Sequence, residues 1–369
     1  MKKYLLKMIL FLTVLAGVIN GGGQAWAKPE VAAKAYVLVD NNTGQVLACR
    51  NARERMYPAS TTKIMTGLLA LEYLDPDLKA TVSRKADHTP GTAIGLKEGQ
   101  EVRVRDLVNA CLMSSANDAS VVLAEKVGGS EQVFSYLMNK KALILGADST
   151  QFVNSNGLTS RNHYTTCYDM YLITRYAMSN NSFASITGKK TETIGHPSYP
   201  QGLVINNTNR LLQYYNGACG VKTGTTNAAG NCLVAMASRG KKSLISVVLK
   251  AGDRYAASET LLNYGFNMSR KRVVCHSQVF KILRVKEGER LKVSVYPDRN
   301  IWLWVGKNDE CLVEKKVRLK YFPEAPIEKG DKLGNIEVYY NGELVETAGI
   351  KSKDEIARES KGIWRLIWR

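Results

Sequence analysis

Apolar positions along the chain change period several times, and each change marks an element. Ile64, Met65, Leu68, Leu69 and Leu71 recur at the spacing of a buried helical stripe. This predicts a helix that opens within Pro58-Ala59-Ser60-Thr61-Thr62-Lys63, where proline and serine suit a helix start whose backbone N–H groups lack partners. Ahead of it, Ala35 to Asp40 and Gln45 to Arg50 read as two strands joined by the turn Asn41-Asn42-Thr43-Gly44. Leu107 to Val127 is largely helical, but Ser114-Ser115-Ala116-Asn117-Asp118 interrupts it. Small hydroxyl and amide side chains compete for backbone hydrogen bonds, so a loop between two helices is expected there. Thr165 to Met178 is a further helical run. Beyond it, Gly220 to Thr226, the turn Asn227-Ala228-Ala229-Gly230 and the β-rich runs Cys232 to Ser238 and Ser243 to Val248 predict an antiparallel meander.

From about Arg272 the texture becomes short β-rich runs: Val279 to Val285, Leu291 to Tyr296, Ile301 to Val305, Val313 to Tyr321 and Ile336 to Tyr340. These predict a small all-β sandwich over 272–350 without a catalytic constellation. Lys351 to Arg369 returns to helical periodicity, with Ile356, Ile363, Trp364, Ile367 and Trp368 on one face beside the basic residues Arg358, Lys361, Arg365 and Arg369. An amphipathic helix at 351–369 lying in a membrane interface is the expectation; a terminal helix packed on the β domain is the alternative. At the other end, Lys2, Lys3 and Lys7 accompany the apolar run Tyr4 to Val18, and Ala25-Trp26-Ala27 is a small-x-small cleavage site. Residues 1–27 therefore read as a secretory signal peptide, and 28–271 as the main domain.

Composition narrows the setting. The 369 residues carry a formal charge of +18, which falls to +15 once the three N-terminal lysines are removed. A basic exported protein suits an anionic cell surface, and the chain has no basic-aromatic module that would point to nucleic acid. Seven cysteines, an odd number, show no metal-binding spacing, so no metal is expected. Cys111 reads as a small core residue, and Cys219 and Cys232 flank the hairpin, where they could bridge.

Ser60 and Lys63 lie three apart on one helix face, which brings an amine within reach of a hydroxyl at the positive end of a helix dipole. The same spacing at Ser238-Arg239-Gly240-Lys241 sits in a polar turn and lacks that context. Ser115-Ala116-Asn117 is an S-x-N element; Ser160-Arg161-Asn162 and Ser179-Asn180-Asn181 match it only in polar connecting segments. Lys222-Thr223-Gly224 occurs once, with Gly224 open to close backbone approach and Lys222 and Thr223 offering a cation and a hydroxyl. S-x-x-K, S-x-N and K-T-G in this order are the signature set of class A β-lactamases and penicillin-binding proteins.

On Ser60, Lys63, Ser115-Ala116-Asn117-Asp118-Ala119 and Val221-Lys222-Thr223-Gly224-Thr225-Thr226, the chain resembles the serine-type D-Ala-D-Ala carboxypeptidases, the low-molecular-mass penicillin-binding proteins. Ala325-Pro326-Ile327-Glu328-Lys329-Gly330-Asp331 is similar to a stretch of that family's C-terminal β domain. The resemblance implies an α/β catalytic domain of the β-lactamase/transpeptidase-like type, an antiparallel sheet flanked by helices, followed by the β sandwich. It implies Ser60 as nucleophile, Lys63 as general base and Ser115 as proton relay. Asn117, Lys222 and Thr223 would bind substrate, and the backbone N–H groups of Ser60 and Thr225 would form the oxyanion hole. No cofactor is implied. The implied substrates are peptidoglycan stem peptides ending in D-Ala-D-Ala, with β-lactams as covalent inhibitors. Arg210 and Arg254 lie where such proteins keep arginines near the cleft, although surface ion pairs account for them equally well. A β-lactamase would need Glu-x-x-x-Asn between Asn117 and Lys222, and none is present; Glu259 to Asn263 has the spacing but follows Lys222. A DD-endopeptidase on the same scaffold and a non-catalytic wall-binding protein remain alternatives. A lipase-like hydrolase would need a Gly-x-Ser-x-Gly elbow, which is absent, and His88, His163, His196 and His276 lie outside the motifs.

Overall fold

The structure, a computed structural model, describes residues 29–359 apart from Ser277 and Asn308. The expected signal peptide lies outside the described residues. β1 (Ala33–Asp40) and β2 (Val46–Arg50) form the hairpin that the sequence predicts. The helical segment that follows carries two short ribbons, β3 (Lys79–Thr81) with β4 (Glu101–Arg103) and β5 (Thr191–His196) with β6 (Tyr199–Asn206). The chain then returns as β7 (Ala218–Thr226), β8 (Gly230–Arg239) and β9 (Lys242–Ala251). These strands complete an antiparallel five-stranded sheet in the order β2-β1-β9-β8-β7, which leaves β7 at an edge.

Both faces of this sheet are covered, because successive side chains on a strand point to opposite sides. Along β1, Ala35, Val37 and Val39 enter one apolar cluster, while Tyr36 and Leu38 enter a second. The first is filled by helices α1 (Lys63–Tyr73), α2 (Arg84–Asp87), α3 (Val104–Asn109), α4 (Asn117–Gly128), α5 (Glu131–Ile144), α6 (Cys167–Ala177) and α7 (Asn181–Gly188). α1 is central, with every residue from Lys63 to Ala70 buried. A one-turn helix, α8 (Leu211–Tyr214), precedes β7. On the other face α9 (Arg254–Phe266) lays Leu261 and Leu262 against Leu244 and Val248.

The C-terminal domain is all-β. β10 (Ser269–Val274) starts three residues before the expected change of texture and pairs with the later strand Ile301–Val305. β11 (Lys281–Arg284), β12 (Lys292–Pro297), β13 (Ile301–Val305), β14 (Val313–Leu319), β15 (Lys332–Tyr340) and β16 (Glu343–Ser352) follow, and the larger sheet has the order β11-β12-β16-β15-β14. Gln45, buried at the β1–β2 turn, joins the two domains. Its amide donates to Trp304 O at 2.8 Å and accepts from Trp304 N–H at 2.9 Å, and Lys242 Nζ stands 3.8 Å from the Trp304 ring centroid.

Two expectations differ from what is observed. The helix expected from Lys351 does not begin there: β16 runs through Ser352, and buried Ile356 pairs its backbone with Ile327 in both directions. Satisfied backbone pairs and a buried isoleucine hold this segment to the β domain against its helical periodicity. The rest of that segment, 360–369, lies outside the described residues. Cys219 and Cys232 are not bridged. Cys232 stands opposite Gly224, whereas Gly220, the neighbour of Cys219, stands opposite Met236, so the two sulfurs belong to separate rungs of the hairpin. No helix among the described residues is long and apolar enough to cross a membrane.

Candidate active site

Ser60 does not cap a helix. Ala59–Thr62 forms a single 3-10 turn behind Pro58, and α1 starts at Lys63. The hydroxyl of Ser60 is thereby left half-buried and available, and it accepts a hydrogen bond from Lys63 Nζ at 3.2 Å. Lys63 is wholly buried and donates also to Asn117 Oδ1 and to the carbonyl of Asn156, each at 2.7 Å. All three acceptors are neutral. Burial therefore pulls the lysine down to about 8, with only weak opposition from Cys111 and Asp118.

The S-x-N element closes one side. α3 runs into a π-helical turn, Ala110–Ser114, and Ser115 then adopts the left-handed conformation at φ 69° before α4 begins at Asn117. A non-glycine residue there costs of order 1–3 kcal/mol and requires surrounding structure to hold it. Asn117 supplies part of that structure through its Nδ2, which donates to Pro90 O at 2.6 Å. Asp118 supplies more, accepting the N–H groups of Ile94, Gly95 and Leu96 at 3.0, 3.0 and 3.1 Å.

β7 closes the other side. Lys222 is buried, its Nζ donating to Thr223 O at 3.1 Å, and it is drawn down to about 7 by burial and then by repulsion from Lys63 and Arg254. Thr223 Oγ1 donates to Thr208 Oγ1 at 2.7 Å, and Thr225 is exposed at the rim. Gly224 has a use the sequence left open. A Cβ there would stand 2.9 Å from Ser60 N and 3.0 Å from Pro58 O, so its close approach is to the serine turn itself.

A loop that no motif flagged forms the floor. Besides Asn156 O on Lys63, Ser155 O accepts from Thr66 Oγ1 at 2.5 Å, while Glu131 Oε1 holds the N–H and hydroxyl of Ser155 at 3.0 and 2.9 Å. His163 ties this loop to the serine turn. Its Nδ1 accepts Val153 N–H at 3.1 Å, so Nε2 carries the proton and donates to Thr62 Oγ1 at 2.8 Å. Burial holds this imidazole down at about 4 and hence neutral. Arg254 is not a surface ion pair either. Its guanidinium donates to Gly224 O at 2.8 Å, Cys232 O at 3.1 Å, Asn231 Oδ1 at 2.5 Å and the Thr225 hydroxyl, pinning β7 to β8. Arg210 stacks 4.5 Å from the Tyr255 ring centroid. Asn156 is not marked by any motif, and the roles of His163 and Arg254 do not show in the sequence, because they act through backbone groups or through a partner distant in sequence.

Ser60, Lys63 and Asn117 thus share one hydrogen-bonded cluster, and Gly224 sets β7 against the serine turn. Residues 23–253 match the family model of the D-alanyl-D-alanine carboxypeptidases (peptidase S11), and residues 269–358 match the C-terminal domain of penicillin-binding protein 5. The chain belongs to the serine-type D-alanyl-D-alanine carboxypeptidase family. Among its relatives, the carboxypeptidase DacF of Bacillus subtilis is 33% identical over 88% of this chain and 86% of its own length. DacC of Escherichia coli is 32% identical over 97% and 92%. The crystal structure of the carboxypeptidase DacD from Francisella tularensis superposes with a TM-score of 0.73 at 27% identity, covering 93% of this chain and all of that one. Penicillin-binding protein D2 of Listeria monocytogenes in its ampicillin-bound form gives 0.59 at 32% identity, over 65% of this chain and all of that one.

Gly157 tests how tightly this carboxypeptidase site is built. It sits at φ +89°, and a Cβ there would lie 1.9 Å from Ala59 O; Gly99, at φ +82°, has open space around its would-be Cβ. Gly99→Ala should lose only the left-handed backbone term, about 1–2 kcal/mol. Gly157→Ala should lose clearly more, because the Ala59 carbonyl must move. Urea unfolding of the two variants checks this, and equal losses would mean that the serine turn yields easily.

Proposed function

We propose that the chain hydrolyses the terminal D-Ala-D-Ala bond of peptidoglycan stem peptides through an acyl-enzyme on Ser60. The observation that carries this reading is the 3.2 Å Ser60–Lys63 hydrogen bond, with the lysine buried among neutral acceptors and shifted toward its free amine. A neutral amine can take a proton, as nucleophilic catalysis by serine requires. Ser60 Oγ attacks the scissile carbonyl while its proton passes to Lys63 Nζ. The oxyanion is received by the backbone N–H groups of Ser60 and Thr225, donors typically worth about 2.7–4 kcal/mol each. Collapse breaks the C–N bond, and the proton held by Lys63 reaches the departing D-Ala nitrogen through the Ser115 hydroxyl, which leaves Lys63 neutral again. Asn117 has a second amide hydrogen, beyond the one given to Pro90, for the substrate's peptide group. Water then hydrolyses the ester. No step calls for a metal or cofactor.

Lys222 and Thr223 would hold the chain-terminal carboxylate. Its arrival favours the ammonium form of Lys222, and the recharged Lys222 in turn favours the neutral form of Lys63. Substrate binding would thus sort the protons of the two lysines into the working arrangement. β-Lactams enter the same path, but their leaving group stays tethered, so their acyl-enzyme should persist. The ampicillin-bound form of the Listeria relative supports this. The proposed peptidoglycan substrate and the signal-like sequence at 1–27 support a protein that works outside the cytoplasmic membrane. The basic, tryptophan-bearing end at 360–369 would touch that membrane's anionic surface.

Ser60→Ala should abolish both D-Ala release from diacetyl-Lys-D-Ala-D-Ala and covalent penicillin labelling by intact mass; labelling that persists would remove Ser60 from the mechanism. Because the working form pairs a neutral Lys63 with a charged Lys222, kcat/KM should trace a narrow bell with limbs at about 7 and about 8 that belong to the pair. Lys222→Arg should keep the acid limb and lose the alkaline one, since guanidinium does not deprotonate in this range. A flat profile across both limbs in wild type would refute a lysine base. Removing 362–369 should release the protein from anionic vesicles while leaving hydrolysis of the soluble peptide unchanged. Equal vesicle binding by both forms would place the membrane contact elsewhere.

A further inference from the structure

A cavity of about 300 Å³ opens beside the serine turn, lined by Lys34, Arg55, Arg161 and Lys250 together with Tyr57 and Ala229. Four cations thus converge on one small volume. Only Lys34 is neutralised, by Glu54 at 2.5 Å. Arg55 stacks 4.7 Å from the Tyr164 ring centroid, and neither it, Arg161 nor Lys250 forms an ion pair among the described residues. Lys250 is moreover held at φ 53°, a left-handed conformation that costs a lysine roughly 1–2 kcal/mol. Uncompensated like charges and a strained lysine around one cavity oppose folding, and an anion would relieve the repulsion.

The position of the cavity says which anion. Along β7 the proposed reaction runs from the chain-terminal carboxylate at Lys222 and Thr223 to the scissile carbonyl at Thr225. Continuing in that direction leads to the part of the peptide that precedes the dipeptide. Thr226 accepts a hydrogen bond from Thr159 at 3.0 Å, and two residues beyond each partner lie Ala228 and Arg161, both in the cavity wall. Tyr57 is three residues before Ser60. Three residues of extended chain span at most about 10 Å, which is the reach of one substrate residue with a long side chain.

We infer that this basic cavity is a specificity subsite that receives a carboxylate on the side chain of the residue preceding D-Ala-D-Ala. The inference rests on the reading of Ser60 and Lys222 given above. Arg55, Arg161 and Lys250 are exposed and touch neither Ser60 nor its partners, so they act by positioning substrate rather than in the bond-breaking step.

The test compares three substrates of the form X-D-Ala-D-Ala, in which X is diacetyl-lysine, Nα-acetyl-lysine with its amine free, or Nα-acetyl-α-aminoadipate, whose side chain ends in a carboxylate. Wild type should turn over the carboxylate substrate with kcat/KM on the order of tenfold above the free-amine one, the diacetyl substrate falling between them, and the preference should shrink with added salt. Arg55→Gln/Arg161→Gln/Lys250→Gln should lose most of that preference while keeping wild-type kcat/KM on the diacetyl substrate. A variant that discriminates as strongly as wild type would overturn the subsite, and so would a uniform loss on all three substrates. Failure of all three substrates with the wild-type protein would instead overturn the carboxypeptidase reading, which keeps the two failures distinct. Single variants Arg161→Gln and Lys250→Gln should each remove part of the preference; no change in either would show that the charges do not converge on the substrate.

Discussion

A lysine ammonium wholly removed from water, with no carboxylate beside it, is the constraint on which the rest of this structure depends. Burying an unpaired charge costs several kcal/mol, and a protein meets that cost by shifting the group toward its neutral form. Lys63 does so among a serine hydroxyl, an asparagine side-chain oxygen and a backbone carbonyl. A carboxylate in any of those three places would stabilise the ammonium and hold Lys63 in its charged form. The carboxylates of the neighbourhood are accordingly occupied elsewhere, Asp118 on the backbone N–H groups of Ile94, Gly95, Leu96 and Ala119, and Glu131 on Ser155 and Lys85.

Holding those three acceptors in place explains features that otherwise look unrelated. The Asn156 carbonyl reaches Lys63 only because the loop carrying it lies against the backbone of Ala59, which Gly157 permits. His163 and Thr66 fasten the same loop to the serine turn and to α1. The Asn117 side chain is oriented by Pro90, and β7 closes on Ser60 because position 224 has no Cβ. These contacts are backbone-to-backbone or backbone-to-small-group approaches, which tolerate little displacement. A site assembled this way is preorganised in the sense that catalysis demands: its groups need not be brought together at the moment of reaction.

How much of this was legible in the sequence follows from which interactions are local. The hairpin 33–50, the helix after Lys63, the break at Ser115 and the β7–β9 meander all announce themselves by period and by turn residues, and all are present. Ser60 and Lys63 meet because three residues of helix bring them together. The loop 154–158 was not legible, since a backbone carbonyl has no sequence identity and Asn156 finds Lys63 across 93 positions. Arg254 was ambiguous for a related reason: an arginine that binds two carbonyls, an amide oxygen and a hydroxyl has no acidic partner to betray it. β16 was missed because Glu343, Glu346 and Gly349 break its alternation. The reading of Lys351 onward as helix failed where buried Ile356 outweighed local periodicity.

The two cations of the β7 edge show why residue type, and not charge alone, is specified here. Lys222 sits buried as an amine lowered to about 7 by burial and by repulsion from Lys63, so its charge responds to its surroundings. Arg254 bonds the outer end of the same strand with a planar fork of donors. Exchanging them would not be neutral. An arginine at 222 would fix a charge that Lys222 is able to release, whereas a lysine at 254 would offer one compact donor group to four oxygens spread over two strands. The placing of β7 beside the serine turn thus depends on donor geometry at its outer end, while further along the strand a buried amine holds a charge that its surroundings can shift.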